Sequence, residues 1–407
     1  MPQERHYFGW KVAWAASVIA ACGAGAGLYG PSVFLPILHA TRGWNVSVIS
    51  TAITTHFLLS ACIIVYLPEL HRRYPLAAVT RAGAMACALG VITWCLAQAP
   101  WQLFVAALLT GAGWATTSSA AINAMIARWF ERDRPKALSL ALNGASVGGV
   151  LFPPIWVALI AQVGLAVSGM LVAAAILAII WHLAYRFLRP LPADLGLMQD
   201  GDPDRLARPG LPRPGRSRRT LLRDPRFVTM AAAFALGMFA QIGLVAHLIA
   251  RLTPDLGVRG AAGGLSLITL CAILGRTLLG WWLGDHNRRV VAALNFFVQS
   301  IGVLLLAISG GAPLLLLGCV LFGLPGGNHL TLPPLMAQQE FDPADVATVV
   351  ALCVAVSQGA LAFGPAAFGL LYDATGSYVL PFTLAAIVDV LAALSLLAGG
   401  SRPRQFG

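Results

Sequence analysis

The sequence predicts an all-α polytopic membrane protein with twelve transmembrane helices in two six-helix halves. Three observations lead there. Of 407 residues, 58% are hydrophobic and 11% are charged, where a soluble domain carries about 25% charged residues. Apolar runs of about 20 residues, each enough to cross a hydrocarbon core of about 30 Å, recur from one end of the chain to the other. One long polar stretch interrupts them near the middle. This pattern excludes a soluble enzyme, a disulfide scaffold and a disordered tail protein.

Broken at charged or Pro/Gly-marked loops, the first six spans fall at 9–38, 46–68, 76–96, 100–129, 137–162 and 165–188. The second six fall at 227–252, 260–284, 290–309, 313–337, 346–372 and 377–398. Between them, residues 190–224 read PLPADLGLMQDGDPDRLARPGLPRPGRSRRTLLRD. Rich in Pro, Gly, Asp and Arg, this stretch is expected to be a mobile linker without a core of its own. The expected organisation is a six-helix bundle over 1–189, a linker over 190–224 and a second bundle over 225–407. The first apolar run is too long for the h-region of a cleavable signal peptide and has no small-residue cleavage site.

Lysine and arginine placement orients the spans. With both termini cytoplasmic, the inside segments hold 23 of the 27 basic residues and the outside holds only Arg42, Arg251 and Arg259, with Arg276 inside a span. That asymmetry is the positive-inside signature. The net charge of +11 therefore reads as a topology mark, and no nucleic-acid partner is expected. The halves echo one another weakly: PELHRR closes span two at Pro68–Arg73, and GDHNRR closes span eight at Gly284–Arg289. Glu131 and Asp133 flank basic residues after span four, and Asp373 follows span eleven. Such acids either latch the halves together or are solvated loop charges. Cys22, Cys62, Cys87, Cys95, Cys271, Cys319 and Cys353 lie singly in or beside apolar runs, which suits small packing residues and no metal.

A charge at membrane depth is costly, so each one is a functional candidate. Arg276 stands inside ITLCAILGRTLLGWWL with Ala272 and Gly280 one turn away on either side. A guanidinium without an intrahelical partner suits a carboxylate ligand; bonding to loop carbonyls is the alternative. Asp389, in LAAIVDVLAAL, is a candidate for proton coupling, although a buried acid satisfied by a hydroxyl or glycine-rich backbone is the plainer reading. His56, His182, His247 and His329 also fall in spans; His247 and His329, on spans seven and ten, are the candidates for moving protons. Gly/Pro-rich stretches at 21–36, 142–154 and 322–334 suit close helix approach and kinks. GxxxxGK[ST], HExxH and GxSxG in a plausible context are all missing from the sequence, so neither ATP-driven transport nor an enzyme is expected, and no cofactor.

Several segments carry a family resemblance. They are YFGWKVAWAASV at Tyr7–Val18, SVFLPIL at Ser32–Leu38 and RGWNVSVIS at Arg42–Ser50. The long segment at Ala127–Pro154, ADLGLMQDG at Ala193–Gly201, GRTLLGWWLGD at Gly275–Asp285 and GPAAFGLLYDATGSY at Gly364–Tyr378 continue the series. Together they resemble the branch of the major facilitator superfamily that holds monocarboxylate transporters and oxalate:formate antiporters. The resemblance implies a rocker-switch transporter of a small organic anion, with Arg276 as the carboxylate anchor. Three positions depart from the branch. Proton-coupled animal members place an acid one turn before this arginine, where this chain has Ala272; they use a lysine late in span one, where it has Tyr29 and Ser32. The dicarboxylate antiporter uses a second cation in span eleven, where this chain offers Gln358.

One buried cation compensates one carboxylate, so a monocarboxylate is favoured over a dicarboxylate. Further candidate lining residues are Tyr29, Trp114, Thr117, Asn143, Gln241, His247, Asn328, His329 and Gln358, chosen as polar or aromatic side chains on spans one, four, five, seven, ten and eleven. Proton symport, anion exchange and uniport all stay open. So does transport of another amphipathic or aromatic compound, and, last, a membrane sensor that moves nothing. The resemblance implies a bacterial inner (plasma) membrane, with lipid around a functional monomer.

Overall fold

The computed structural model describes residues 7–201, 216–282 and 286–399, which form helices and turns and, among the described residues, no strand. The order is α1 (Phe8–Gly27), α2 (Gly30–Arg42), α3 (Val46–Arg73), α4 (Leu76–Leu96), α5 (Pro100–Thr117), α6 (Ser119–Ala127) and α7 (Arg134–Phe187). It continues with α8 (Arg218–Leu221), α9 (Pro225–Trp282), α10 (Arg288–Ile308), α11 (Ala312–Gly326), α12 (Leu332–Glu340), α13 (Pro343–Leu361), α14 (Gly364–Thr375) and α15 (Val379–Ala398).

Ten helical stretches are long and apolar enough to cross a membrane, and two of them, Arg134–Phe187 and Pro225–Leu279, are 54 and 55 residues long. At about 1.5 Å per residue each of these supplies two crossings. Each also contains one glycine with positive φ, Gly164 at 77° and Gly257 at 67°. A side chain at such an angle clashes with its own carbonyl, so glycine is what lets the helix turn back there. The described residues thus supply the expected twelve transmembrane helices. Gly164 and Gly257 fall inside the gaps expected between spans five and six and between spans seven and eight.

The chain forms two compact units: Met1–Phe34 with Thr55–Arg208, and Leu35–Thr54 with Pro209–Gly407. In the first, α1 lies along α7, and α4 lies against α5 and α7. Glycines permit the first of these contacts. A Cβ on Gly144 would run into the Ser17 carbonyl, and one on Gly148 into that of Ala21. Without a water-driven hydrophobic effect between helices, such close backbone approach is a main source of adhesion. Trp94, Trp129, Trp156, Phe34 and Phe130 fill the remaining space.

The loop after α6 is completed by a segment far along the chain. Asp200 sits in the left-handed region at φ 59°. Its carboxylate accepts from the backbone N–H groups of Glu131, Arg132 and Asp133, the shortest bond being 2.8 Å. Its own N–H donates to the Trp129 carbonyl. The Tyr7 hydroxyl bonds Trp129 O at 2.7 Å and Met198 O at 3.0 Å, and Gln199 Nε2 donates to Ala127 O. The orphan carbonyls at the end of α6 and the orphan amides before α7 are both served this way.

In the second unit, α9 packs against α11, α13 and α15, and α10 against α11 and α15. Leu221 from α8 is buried in a core with Phe227, Met230, Phe234, Phe296, Met336 and Leu396. Beside it, Arg216 donates to Asp345 at 2.7 Å through both its backbone N–H and its Nε. Within the stretch expected as a linker, 190–224, these contacts hold parts of 190–201 and 216–224 against their neighbours, and 202–215 lie outside the described residues. Six of the seven free cysteines are buried, while Cys62 is exposed on α3.

The Asp200 clasp carries a testable consequence. Burial pushes its carboxyl up, but the N–H groups of Arg132, Asp133 and Glu131 outweigh that and hold it below the usual carboxylate range. A carboxyl lowered on folding stabilises fully above its unfolded value of about 4 and loses that contribution as pH falls through the folded one. Asp200→Ala is expected to lower stability by about 1–2 kcal/mol at neutral pH. In thermal melts of the detergent-solubilised protein, the gap between variant and wild type should close below about pH 4.

Candidate functional site

Helix breaks within apolar spans release backbone groups that no water can satisfy, so they mark where side chains are placed with purpose. The corresponding spans four and ten are both broken, a feature that points to binding sites in internally repeated transporters. In span four, α5 stops at Thr117 and Ser118 is extended, at φ −64° and ψ 168°. Ser118 Oγ donates to Ala115 O at 2.8 Å and accepts from Ala121 N, closing one helix and capping the next. Span one breaks at Leu28–Tyr29, whose N–H groups both reach Ala24 O.

The first-unit candidates lie around these breaks. Thr117 and Trp114 face α1, where a Cβ on Gly23 would meet Thr117 and one on Gly27 would meet Trp114. Tyr29 is buried at the α1–α2 break, its carbonyl accepting from Ser32 Oγ at 2.7 Å. Asn143 is half-buried on α7, next to the Gly144 that touches Ser17. His56 is buried with Nδ1 against Thr110 Oγ1 at 2.9 Å, whereas His182 is exposed.

In span ten, α11 ends at Gly326 and a tight turn, Gly327–Leu330, precedes α12. Four candidates converge on it. Gln241 Nε2 donates to Gly326 O at 3.3 Å, and His329 Nδ1 lies 3.2 Å from the same carbonyl. Arg276 Nε donates to Gly327 O at 3.2 Å. Asn328 Nδ2 donates to Asn295 Oδ1 at 2.7 Å. The turn sits tightly on span eight: a Cβ on Gly327 would strike the Ala272 carbonyl, and one on Gly275 that of Leu324. Arg276 is half-buried. Gln241 Oε1, Asn328 Oδ1 and His329 Nε2 are buried atoms with no hydrogen-bond partner, so the turn is lined with polar capacity. Asn295 escaped the sequence reading, although Asn295 and Gln299, one turn apart in AALNFFVQSIG, were a visible polar stripe.

His247 lies elsewhere. Its Nε2 is 3.0 Å from Pro365 O and 3.2 Å from Ser50 Oγ, and its Nδ1 is 3.2 Å from the Tyr378 hydroxyl. Nearby, Ala366 N donates to Thr54 Oγ1 at 3.1 Å. Asp373, which follows span eleven, accepts from Val46 N and Ser47 N at 3.2 and 2.8 Å. It therefore caps the start of α3, where the helix dipole favours an anion. Gln358 is half-buried on α13. Asp389 is buried on α15, and its partner is the amide of Gln299 at 3.4 Å rather than a hydroxyl or glycine backbone.

The arginine pairs behind spans two and eight diverge. Arg72 and Arg73 bond Glu69 on the surface, while Arg289, 2% exposed, grips Glu340 through Nε and Nη2 at 2.6 and 2.7 Å. Asp285 lies outside the described residues. Asp133 pairs locally with Lys136 at 3.1 Å. Asp224 accepts from Arg226 and Arg216; burial raises its carboxyl, but those bonds hold it below the usual range. No group of three or more His, Cys, Asp or Glu side chains is placed to hold a metal among the described residues.

A family model described as Major Facilitator Superfamily matches residues 16–352. The chain belongs to the major facilitator superfamily. Among curated relatives, monocarboxylate transporter 13 from Bos taurus is 30% identical over 229 residues, covering 56% of this chain and 50% of that protein. The Rattus norvegicus protein of the same name is 25% identical over 327 residues, 79% of this chain and 71% of the relative. The alignment thus spans about half the length of the bovine protein. A mutant of the nucleoside transporter NupG superposes with TM-score 0.76 at 14% identity, covering 97% of this chain and 100% of that one. A bacterial homologue of the human lysosomal transporter Spinster, inward-facing and occupied, gives 0.73 at 14%, with 96% of each chain covered. These structures share the fold. As a member of this superfamily, with its apolar spans, the protein is an integral membrane protein.

In this protein the Gly326 carbonyl accepts from the Gln241 amide and lies near His329 Nδ1. Gln241→Leu removes that side-chain donor, which is expected to cost about 0.5–1.5 kcal/mol. Gln241→Glu, which keeps the shape and removes the N–H, should lower the melting temperature in the same direction.

Proposed function

We propose that the protein is a secondary active transporter that moves a small organic anion, a monocarboxylate, by alternating access, with Arg276 as the anchor. The observation that carries this reading is the setting of Arg276. Its Nε is bonded to the Gly327 carbonyl at the break in span ten, which fixes the plane of the guanidinium. A planar, permanently charged fork held this way suits a carboxylate. Gln241, Asn328 and His329 surround the same turn and supply neutral hydrogen-bonding capacity for the rest of a small acid. The relatives called monocarboxylate transporters support the substrate class, whereas the nucleoside transporter is similar in fold alone.

His329 is the titratable side chain at this turn, so we assign proton movement, where transport is coupled to it, to His329 rather than to His247. Tyr29, Trp114, Thr117 and Asn143 are the first unit's own candidates, and Gln358 is a further candidate on α13 of the second. The distribution of arginine and lysine supports an orientation with both termini cytoplasmic.

Thermal stabilisation of the purified protein by a panel of acids tests this directly. A ligand that binds only the folded state, at 100 times its Kd, adds about 2.7 kcal/mol. One small monocarboxylate should raise the melting temperature of wild type and leave Arg276→Gln unmoved, while neutral aromatic compounds move neither. Equal shifts for wild type and Arg276→Gln would remove the anchor from the site. Uptake into liposomes with and without a pH gradient then separates symport from exchange.

A further inference from the structure

Gln299 on α10 and Asp389 on α15 are both 0% exposed and face each other across two helices that pack closely. Alanines make that approach possible. Ala385, Ala386, Ala392 and Ala393 surround Asp389 at helical spacing, all buried, and Ala292, Ala293 and Gly302 lie on the facing helix. Gln299 Nε2 donates to Asp389 Oδ1 at 3.4 Å. The two atoms left over, Asp389 Oδ2 and Gln299 Oε1, are buried with no hydrogen-bond partner.

Counting donors exposes the difficulty. An ionised carboxylate is acceptor-only and an amide oxygen is acceptor-only, so the two orphans repel one another and share one need. Other charged and titratable groups on the packed helices are engaged elsewhere. Arg289 and Glu340 bond each other about 15 Å before Gln299 along α10. Arg251, on α9, reaches Ser309 O and Asp255 about 15 Å beyond it. His329 lies against Phe296 with Nδ1 on Gly326 O. His247 and Tyr378 bond each other, and Asp373 caps α3. Among the described residues, no cation pairs with Asp389. A bare carboxylate in such a place costs several kcal/mol.

We propose that the Asp389–Gln299 pair is a proton-binding site, in which Asp389 holds one proton on Oδ2 and donates it to Gln299 Oε1. The acid and the amide then close a planar ring of two hydrogen bonds, each group supplying one donor and one acceptor. One proton taken from water satisfies both orphans and cancels the charge. A sodium ion or a water molecule between the two oxygens is the competing occupant. The site is separate from the turn at Gly327 and holds whatever the transported substrate proves to be.

The test is infrared spectroscopy of the full chain reconstituted in lipid at neutral pH, with melting curves alongside. Wild type should show a protonated-carboxyl C=O band that disappears in Asp389→Asn. In Gln299→Leu the band should persist but move to higher frequency, because the amide no longer bonds it. Asp389→Asn, whose Nδ2 replaces the acid's O–H, should keep the wild-type melting temperature. A difference spectrum showing only the loss of carboxylate bands would overturn the proposal. So would a melting temperature that sodium, but not choline, raises in wild type and not in Asp389→Asn; that result assigns the oxygens to a cation.

Discussion

A backbone carbonyl freed inside a membrane has no water to turn to, and this constraint organises the protein's polar residues. At several span breaks a side chain meets the released group. Gln241, His329 and Arg276 attend the carbonyls of Gly326 and Gly327, His247 attends that of Pro365, and Trp156 reaches Gly25 O at 3.3 Å. The polar residues are therefore first a repair of the breaks. Arg276 is tied to the fold in this way through its Nε.

The two halves solve the problem of their ends differently. The first unit closes its loop after α6 with one carboxylate and one phenol, Asp200 and Tyr7, both acting on backbone. The second uses ions. Arg289 spans Glu340, Thr229 Oγ1 and the carbonyls of Arg226 and Leu396, and Arg216 ties Asp345 to Asp224. A buried guanidinium is tolerable only when its donors are met, and here the partners come from both helix ends and loops. The sequence echo between PELHRR and GDHNRR thus covers a surface pair in one half and a buried hub in the other.

Much of the fold was legible because the signal is local. Apolar runs set the spans, and Gly164 and Gly257 sit in the gaps that the runs left. Arg276, Gln241, Asn328 and His329 were legible for the same reason, as polar letters in apolar text. What escaped was pairing. Nothing near Asp389 names Gln299, which is 90 residues away, and nothing in LLYDATG says that Asp373 caps a helix 326 residues earlier. Composition alone also hides the local partners in the stretch 190–224: Leu221 is buried in the second unit's core and Asp200 binds the loop at 131–133. His247 was placed by span number alone, and a helix is long enough to carry a residue well away from a site its span lines.

The two anchors of that central stretch set a leash. Asp200 is bonded to the loop at 131–133 and Arg216 to Asp345, so sixteen virtual Cα–Cα steps connect the pinned points, counted from the residue numbers. At about 3.3–3.6 Å per residue the chain between them reaches at most about 58 Å. A leash of that length sets an upper bound on every excursion of one anchor from the other, and it does so without any strain in the helices.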